Sequence, residues 1–177
     1  WVIVGFGSIG HEIAQRARPF GVEIVGVRRT AVPDPAADQM ATMDELATEL
    51  ALADVVILAC PLTEQTRGLV DRDFLAAMRP DAVLVNVARG GVVNDDALLG
   101  ALDHGSIGSA ILDVFDPEPL PSDSPLWKVK NLLVTPHVSA DDGDSYAQIT
   151  LDLVFANLRR YLAGEPLHNV VRTELGY

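Results

Sequence analysis

The stretch Trp1-Val2-Ile3-Val4-Gly5-Phe6-Gly7-Ser8-Ile9-Gly10 determines how the rest of the chain is interpreted. Four apolar residues, typical of a buried strand, run directly into three glycines, and an amphipathic stretch follows them. In a dinucleotide site the first glycine allows a tight turn, the second lets the backbone approach a pyrophosphate, and the third lets the helix pack closely on the strand. The order strand, glycine turn, helix therefore predicts a dinucleotide-binding unit. The alternative is a structural glycine turn in another α/β fold.

Short apolar runs and longer amphipathic stretches alternate along the remaining chain. This alternation predicts an α/β fold, a doubly wound parallel sheet of the Rossmann type with helices on both faces. The predicted strands are Trp1–Val4, Val22–Val27, Val55–Ala59, Ala82–Val87, Gly108–Val114 and Leu132–Thr135. The predicted helices are Ile9–Arg18, Met43–Leu50, Asp73–Met78, Asp95–His104 and Tyr146–Leu162.

Local signals support these boundaries. Asn94 can cap the helix that starts at Asp95, where two acidic residues face the positive end of the helix dipole. Proline-rich segments predict loops at Ala31–Ala37 and Asp116–Pro125. Because Trp1 already lies in or beside a strand, we expect further sequence in front of it.

Composition limits the classes of partner. The 177 residues suffice for one full domain, and an apolar fraction of 49% excludes a disordered chain. A net charge of −12 argues against nucleic-acid and anionic-membrane partners, and no apolar run is long enough for a membrane span. The single cysteine, Cys60, cannot form an internal disulfide, so a reducing cytoplasm is the expected compartment.

The residues after the second predicted strand indicate which dinucleotide binds. An NAD site usually places Asp or Glu there to accept hydrogen bonds from the adenosine ribose. This chain has Arg28, Arg29 and Thr30 instead, and the next acidic residue is Asp34. Two guanidinium groups and a hydroxyl suit a 2′-phosphate, which predicts NADP(H), with NAD(H) as the alternative. Solvated arginines at a strand end are the simpler interpretation.

Three residues of the second half of the chain, Arg89, Glu118 and His137, each follow an apolar run. An arginine can bind a carboxylate through two parallel hydrogen bonds. A histidine can transfer a proton near neutral pH, and a neighbouring carboxylate can fix its tautomer and raise its basicity. These chemical types suit a reductase of 2-keto acids. The alternatives are an arginine that spans a turn, a solvated loop acid and a structural histidine.

Four motifs in this order resemble the D-isomer-specific 2-hydroxyacid dehydrogenase family. They are Cys60-Pro61-Leu62-Thr63 with Thr66-Arg67-Gly68-Leu69, Asn86-Val87-Ala88-Arg89-Gly90-Gly91-Val92-Val93, Leu112-Asp113-Val114-Phe115 with Pro117-Glu118-Pro119-Leu120, and Thr135-Pro136-His137. The intervals between Arg89, Glu118 and His137 are also similar to those of the family.

The resemblance implies a role for each of these residues. Arg89 would bind the substrate carboxylate, His137 would protonate the carbonyl oxygen, and Glu118 would hold His137 protonated. Asp113 would contact the nicotinamide carboxamide. The predicted cofactor-binding set is Gly5, Gly7, Ser8, Ile9, Gly10, Arg28, Arg29, Thr30, Cys60, Pro61, Thr66, Val87, Ala88, Arg89, Asp113 and His137.

For the whole protein, the resemblance implies a two-domain enzyme that forms a homodimer. Residues 1–166 would be its dinucleotide-binding domain, and residues 167–177 a return segment toward a substrate domain. The predicted reaction is hydride transfer between NADP(H) and a small 2-keto or 2-hydroxy acid such as glyoxylate or hydroxypyruvate. This chain alone is expected to bind cofactor and to turn over slowly or not at all. The alternatives are an NAD-dependent member such as a 3-phosphoglycerate dehydrogenase and a non-catalytic, dinucleotide-sensing corepressor-like protein.

Other features depart from the family or suggest other chemistry. Ser8 stands where many members carry a basic residue in the glycine fingerprint, and His11 or Arg16 could compensate. The acidic stretch Asp141–Asp144 lacks the alternating ligands of a calcium loop, so solvated acids are expected and no metal site. Cys60 is expected to be a small buried residue without a redox role. His11, His104 and His168 are expected to be surface or structural residues.

Overall fold

The computed structural model of the chain describes residues 1–140, 143, 145–171 and 173. The chain divides into two units, Trp1–Pro136 and His137–Tyr177. The strands of the first unit, all of whose residues are described, are β1 (Val2–Val4), β2 (Val25–Val27), β3 (Gln39–Ala41), β4 (Val55–Leu58), β5 (Val83–Asn86), β6 (Ser109–Leu112) and β7 (Leu132–Val134). Its α-helices are α1 (Ser8–Ala17), α2 (Leu46–Leu50), α3 (Arg72–Ala77) and α4 (Asp95–Asp103). Short 3₁₀ helices span Arg18–Phe20, Gly90–Val92 and Pro125–Lys128.

The strands form one parallel sheet in the order β3-β2-β1-β4-β5-β6-β7. The chain builds outward from β1 to β3, crosses over, and builds outward again from β4 to β7. The carboxyl ends of all seven strands therefore lie at one edge. In such sheets ligands bind outside the switch point, here between β1 and β4. The predicted fold class is confirmed.

Most strand residues are apolar because both faces of the sheet are covered. Successive side chains of a strand point to opposite faces. Val2 and Val4 accordingly belong to one buried cluster, which also contains Leu58 from β4. Ile3 and Ile57 belong to a second cluster on the other face. This two-sided burial is what the predicted α/β architecture requires.

The six predicted strands are all present, each one to three residues shorter than predicted. The strand β3 was not predicted, because it is a three-residue edge strand with a single partner, β2, and no apolar run marks it. The helix α2 starts at Leu46 instead of Met43. A turn precedes it, in which the Glu45 carboxylate accepts a hydrogen bond of 2.8 Å from the Thr42 N–H. The predicted cap of α4 is confirmed, since Asn94 Oδ1 accepts a hydrogen bond from Ala97 N at 2.9 Å.

The second unit contains the helix α5 (Tyr146–Leu162), with the predicted bounds. Beyond the helix, the Asn157 side chain donates to His168 O (3.1 Å) and accepts from His168 N (2.8 Å), which ties the following segment to α5. The predicted return segment overlaps the end of the chain, where Arg172 and residues 174–177 lie outside the described residues. Among the described residues, no helix combines the length and apolarity that a membrane span needs.

Candidate functional site

The glycine turn after β1 is shaped by close backbone packing. Gly5 has a φ of +94°, and a Cβ atom there would lie 2.4 Å from the backbone nitrogen of Cys60. A Cβ atom on Gly10 would lie 2.7 Å from the carbonyl oxygen of Gly5. A Cβ atom on Gly7 would meet nothing within 4 Å. Gly5 and Gly10 are therefore required by packing between β1, β4 and α1, whereas Gly7 borders open space.

The amino end of α1 follows this turn. Gly7 is its N-cap and provides no side-chain hydrogen bond to the first turn. The first N–H groups of a helix have no partner one turn earlier, and they carry the positive end of the helix dipole. Ser8 and Ile9 lie in this turn and are exposed. The turn can therefore present backbone donors to an anion, which is what the predicted pyrophosphate site requires.

A hollow of about 360 Å³ lies in front of this turn and is lined by Phe6, Gly7, Ser8, His11, Glu12, Arg28 and Asp34. Of the residues predicted to contact the dinucleotide, the structure brings Gly7, Ser8 and Arg28 together here. Arg29 and Thr30 are exposed and are not among the lining residues. The sequence analysis did not assign Phe6, Glu12 or Asp34 to the site.

Arg28 is held by its own loop. Its Nε donates to Thr30 O at 3.1 Å and its Nη2 donates to Val32 O at 3.2 Å. A guanidinium group has five N–H donors, so these two bonds fix its position and leave donors for a ligand.

The two candidates for replacing a basic residue at Ser8 differ in position. His11 lines the hollow, with its Nε2 3.5 Å from Asp34 Oδ1. Arg16 instead forms an ion pair with Glu12 and donates to the Glu12 carbonyl oxygen at 3.0 Å. The hydrogen bond and charge of Arg16 lower the pKa of the Glu12 carboxyl.

The loop after β4 is held by hydroxyl groups. Thr66 Oγ1 donates to Pro61 O at 2.6 Å and accepts from Thr63 N at 2.8 Å. Cys60, at the start of the loop, is 6% exposed and carries a free thiol, as predicted for a small buried residue. Burial raises the pKa of this thiol, so it stays protonated and is a poor nucleophile near neutral pH.

A buried amide positions the loop after β5. Asn86, which is 1% exposed, accepts a hydrogen bond from Ala88 N at 3.0 Å and donates to Arg89 O at 3.1 Å. The next residue, Gly90, packs so tightly that a Cβ atom there would lie 2.0 Å from the carbonyl carbon of Phe115. The Arg89 side chain is exposed, and its Nη1 donates to Ala88 O at 2.7 Å. Asn86 thus fixes the backbone that carries Arg89, a role that the sequence analysis missed.

The loop after β6 carries two predicted site residues. Asp113 is 2% exposed, and its Oδ1 accepts a hydrogen bond of 2.5 Å from Thr135 Oγ1 at the end of β7. Glu118 is an exposed residue whose Oε1 accepts from Phe115 N at 2.8 Å. The Glu118 carboxylate therefore holds its own loop, and this bond was not predicted.

His137 begins the second unit, where it is exposed and has a φ of +58°. Non-glycine residues rarely adopt this left-handed conformation, and such residues cluster at functional sites. Arg89 and Glu118 belong to the other unit, so the triad of Arg89, Glu118 and His137 stays a prediction. Asp141, Asp142 and Asp144, the acids weighed as calcium ligands, lie outside the described residues.

Comparison with known proteins agrees with this architecture. Residues 1–139 match the family described as D-isomer specific 2-hydroxyacid dehydrogenase, NAD binding domain. A human glyoxylate reductase/hydroxypyruvate reductase is 40% identical over 167 residues, which are 93% of this chain and 50% of that protein. A D-3-phosphoglycerate dehydrogenase from Methanocaldococcus jannaschii is 36% identical over 171 residues, 96% of this chain and 32% of that protein.

A solved structure is similar over almost the whole chain. It is a D-isomer specific 2-hydroxyacid dehydrogenase from Xanthobacter autotrophicus Py2 in complex with NADPH and MES, with a TM-score of 0.92 and 37% identity. The similarity covers 99% of this chain and 72% of that one. Against full-length relatives such as the human protein, the chain spans about half of their length.

Proposed function

Because the chain belongs to the D-isomer-specific 2-hydroxyacid dehydrogenase family, we propose that it is the cofactor domain of an NADP(H)-preferring reductase of small 2-keto acids. The observation that carries the proposal is the position of Arg28, a guanidinium group in the hollow in front of the fingerprint helix. Glyoxylate and hydroxypyruvate are the proposed substrates, in line with the name of the human relative.

The residues of the hollow fit a dinucleotide. Gly7 borders open space, so the backbone of the turn is accessible to a pyrophosphate, and the first-turn N–H groups of α1 can donate to it. Arg28 is the residue that would bind a 2′-phosphate, through the guanidinium N–H groups that do not donate to Thr30 O or Val32 O. Asp113, held by Thr135, would orient the nicotinamide through its carboxamide.

In the proposed mechanism a nicotinamide bound in this site would provide the hydride for reduction of the keto carbon. Arg89 binds the substrate carboxylate, and Asn86 keeps the backbone of Arg89 in place. His137 gives its proton to the carbonyl oxygen, and Glu118 keeps His137 in the protonated form. The hydrogen bond from Phe115 N to Glu118 Oε1 supports a fixed placement of the Glu118 side chain, and the left-handed backbone of His137 is of the kind that clusters at functional sites.

The archaeal relative favours a second candidate, an NAD-linked dehydrogenase of 3-phosphoglycerate. That substrate carries a phosphate group besides its carboxylate. Such an enzyme needs a further cationic group near the substrate, in addition to Arg89.

Titration of the 177-residue chain with NADPH and NADH, followed by nicotinamide fluorescence, tests the cofactor. We expect at least tenfold tighter binding of NADPH, about 1.4 kcal/mol. Arg28→Ala should remove this preference, and Arg72→Ala, which removes an exposed arginine on α3, should leave it intact. Equal binding of both nucleotides by the unaltered chain would contradict NADP(H) preference and favour the second candidate.

Turnover of glyoxylate and hydroxypyruvate by the full-length protein tests the catalytic residues. We expect His137→Gln to lower kcat by roughly 10² to 10⁴, the usual contribution of a general acid. His104→Gln is the control, since His104 is exposed and bonds to the carbonyl oxygen of Gly100 within α4. Normal turnover of the His137 variant would contradict the assignment of the proton donor.

We also propose a homodimer in a reducing cytoplasm. The family resemblance supports the dimer, and the single cysteine supports the compartment. Size-exclusion chromatography with light scattering measures the mass of the full-length protein directly. A monomeric mass would contradict the proposed homodimer.

A further inference from the structure

The hollow in front of α1 contains a histidine–carboxylate pair. Asp34 follows Arg28 by several positions, yet both side chains line the same space. The Asp34 carboxylate is held by its own turn, because its Oδ1 accepts a hydrogen bond from Ala36 N at 3.0 Å. The Asp34 side chain is 20% exposed, so a carboxylate is fixed in the hollow and largely shielded from solvent.

His11, the other member of the pair, is also held by its neighbours. Its Nε2 lies 3.5 Å from Asp34 Oδ1, and its Nδ1 lies 3.3 Å from Gln15 Nε2. The ring of Phe6 meets the imidazole edge to face, with 6.5 Å between the ring centroids. These three contacts hold the imidazole beside the Asp34 carboxylate.

Asp34 and Arg28 should have opposite effects on the relative affinities for NADH and NADPH. A carboxylate accepts hydrogen bonds from free ribose hydroxyls, which favours NADH, and it repels the 2′-phosphate of NADPH. Arg28 attracts the same phosphate. An imidazole N–H group directed at this carboxylate partly screens its negative charge, because the N–H dipole points its positive end at the oxygen. The other acid of the hollow, Glu12, is already paired with Arg16.

We propose that His11 and Asp34 are specificity-determining residues of this site: Asp34 weakens NADP(H) binding, and His11 offsets Asp34. This inference rests on the proposed function only in requiring that the nucleotide occupies the hollow. The preference of the chain is then the balance between Arg28 and the Asp34–His11 pair. NADH can still bind because the Asp34 carboxylate can accept hydrogen bonds from the ribose hydroxyls.

The test is the ratio of NADH to NADPH dissociation constants for the 177-residue chain and its variants. Asp34→Asn keeps an oxygen for the Ala36 N–H and removes the charge, so the ratio should shift about tenfold toward NADPH. His11→Gln keeps a polar side chain and should shift the ratio about threefold or more toward NADH. In the Asp34→Asn background, His11→Gln should have little effect, because the charge that it offsets is gone.

The control is Asp44→Asn, which removes the same charge at an exposed position outside the hollow. Its ratio should equal that of the unaltered chain, and all variants should keep the same melting temperature. A merely structural role of the pair would change stability or both affinities together, and it would leave the ratio unchanged.

The outcomes separate this inference from the proposed function. An unaltered chain that prefers NADH contradicts the proposed cofactor, and the variants still test the pair through the direction of each shift. A chain that prefers NADPH, with variants whose ratio does not move, overturns the inference and leaves the proposed function standing. Additive effects of the two substitutions would also overturn it, because they would show that His11 does not act through Asp34.

Discussion

The turn after β1 and the loops after β5 and β6 lie at the same edge of the sheet, but they are built in opposite ways. The first is shaped by missing side chains: Gly5 and Gly10 let three backbone segments approach closely. The loops after β5 and β6 are shaped mainly by polar side chains, above all the buried Asn86 and Asp113. The side expected to bind the pyrophosphate is therefore set by backbone packing, and the side expected to bind the nicotinamide and the substrate is set by hydrogen bonds.

This difference explains why the structural residues of the first region are easier to recognise from the sequence than those of the second. A glycine that a turn requires is visible in the sequence by itself. A buried amide or carboxylate becomes meaningful only when its partners are known, and one partner of Asp113 is Thr135, which directly follows the next strand, β7. Gly90 is the exception in the second region, since it is required by backbone packing against Phe115.

The largest expected effect breaks the glycine-shaped turn. Gly5→Ala should destabilise the chain by about 3 kcal/mol or more, because the new Cβ would overlap the Cys60 backbone and φ is +94°. Gly7→Ala, in the same turn, should cost only about 1 kcal/mol, since its Cβ meets no atom. Gly7→Ala should nevertheless weaken NADPH binding. Urea unfolding and nucleotide titration measure the two effects, and similar stability of the two variants would contradict the packing argument.

A smaller effect is expected in the loop shaped by polar groups. Asn86→Ala leaves the Ala88 N–H and the Arg89 carbonyl without the bonds they make now, which should cost roughly 2 kcal/mol. Asn131→Ala is the matched control: it removes one exposed amide bond to Gly108 and should cost under about 1 kcal/mol. Urea unfolding gives both values. Equal costs would mean that the buried amide of Asn86 contributes no more than an exposed one.

The smallest expected effect concerns charge beside the same loop. Burial and the carboxylates of Asp96 and Asp116 raise the pKa of Asp95, so its charged form is less favourable in the folded chain than in the unfolded one. The folded chain therefore loses stability as pH rises from about 4 through the raised pKa. Asp95→Asn should stabilise the chain at pH 7 by about 0.5 kcal/mol and should give no gain below pH 4. Melting temperatures across pH 3–8 check this, and a pH-independent gain would contradict it.

Much of the fold could be predicted because each central strand is apolar on both faces, so its pattern needs no partner to be recognised. The edge strand β3 was missed because its three residues, Gln39–Ala41, form no apolar run. At the site, the glycines and Arg28 were predicted from their places beside strands. Asp34 was seen but not assigned, because only the turn around Ala36 brings its carboxylate into the hollow.

The burial of Cys60 makes the protein convenient for site-specific labelling. The chain contains one cysteine, and its thiol is enclosed at the junction of β4 with the glycine turn. A maleimide dye added to the folded 177-residue chain should therefore leave it almost unmodified. A cysteine introduced at an exposed position such as Thr30, close to the hollow, would then be the residue that carries the dye. The dye would report nucleotide binding, and Cys60 would not have to be replaced.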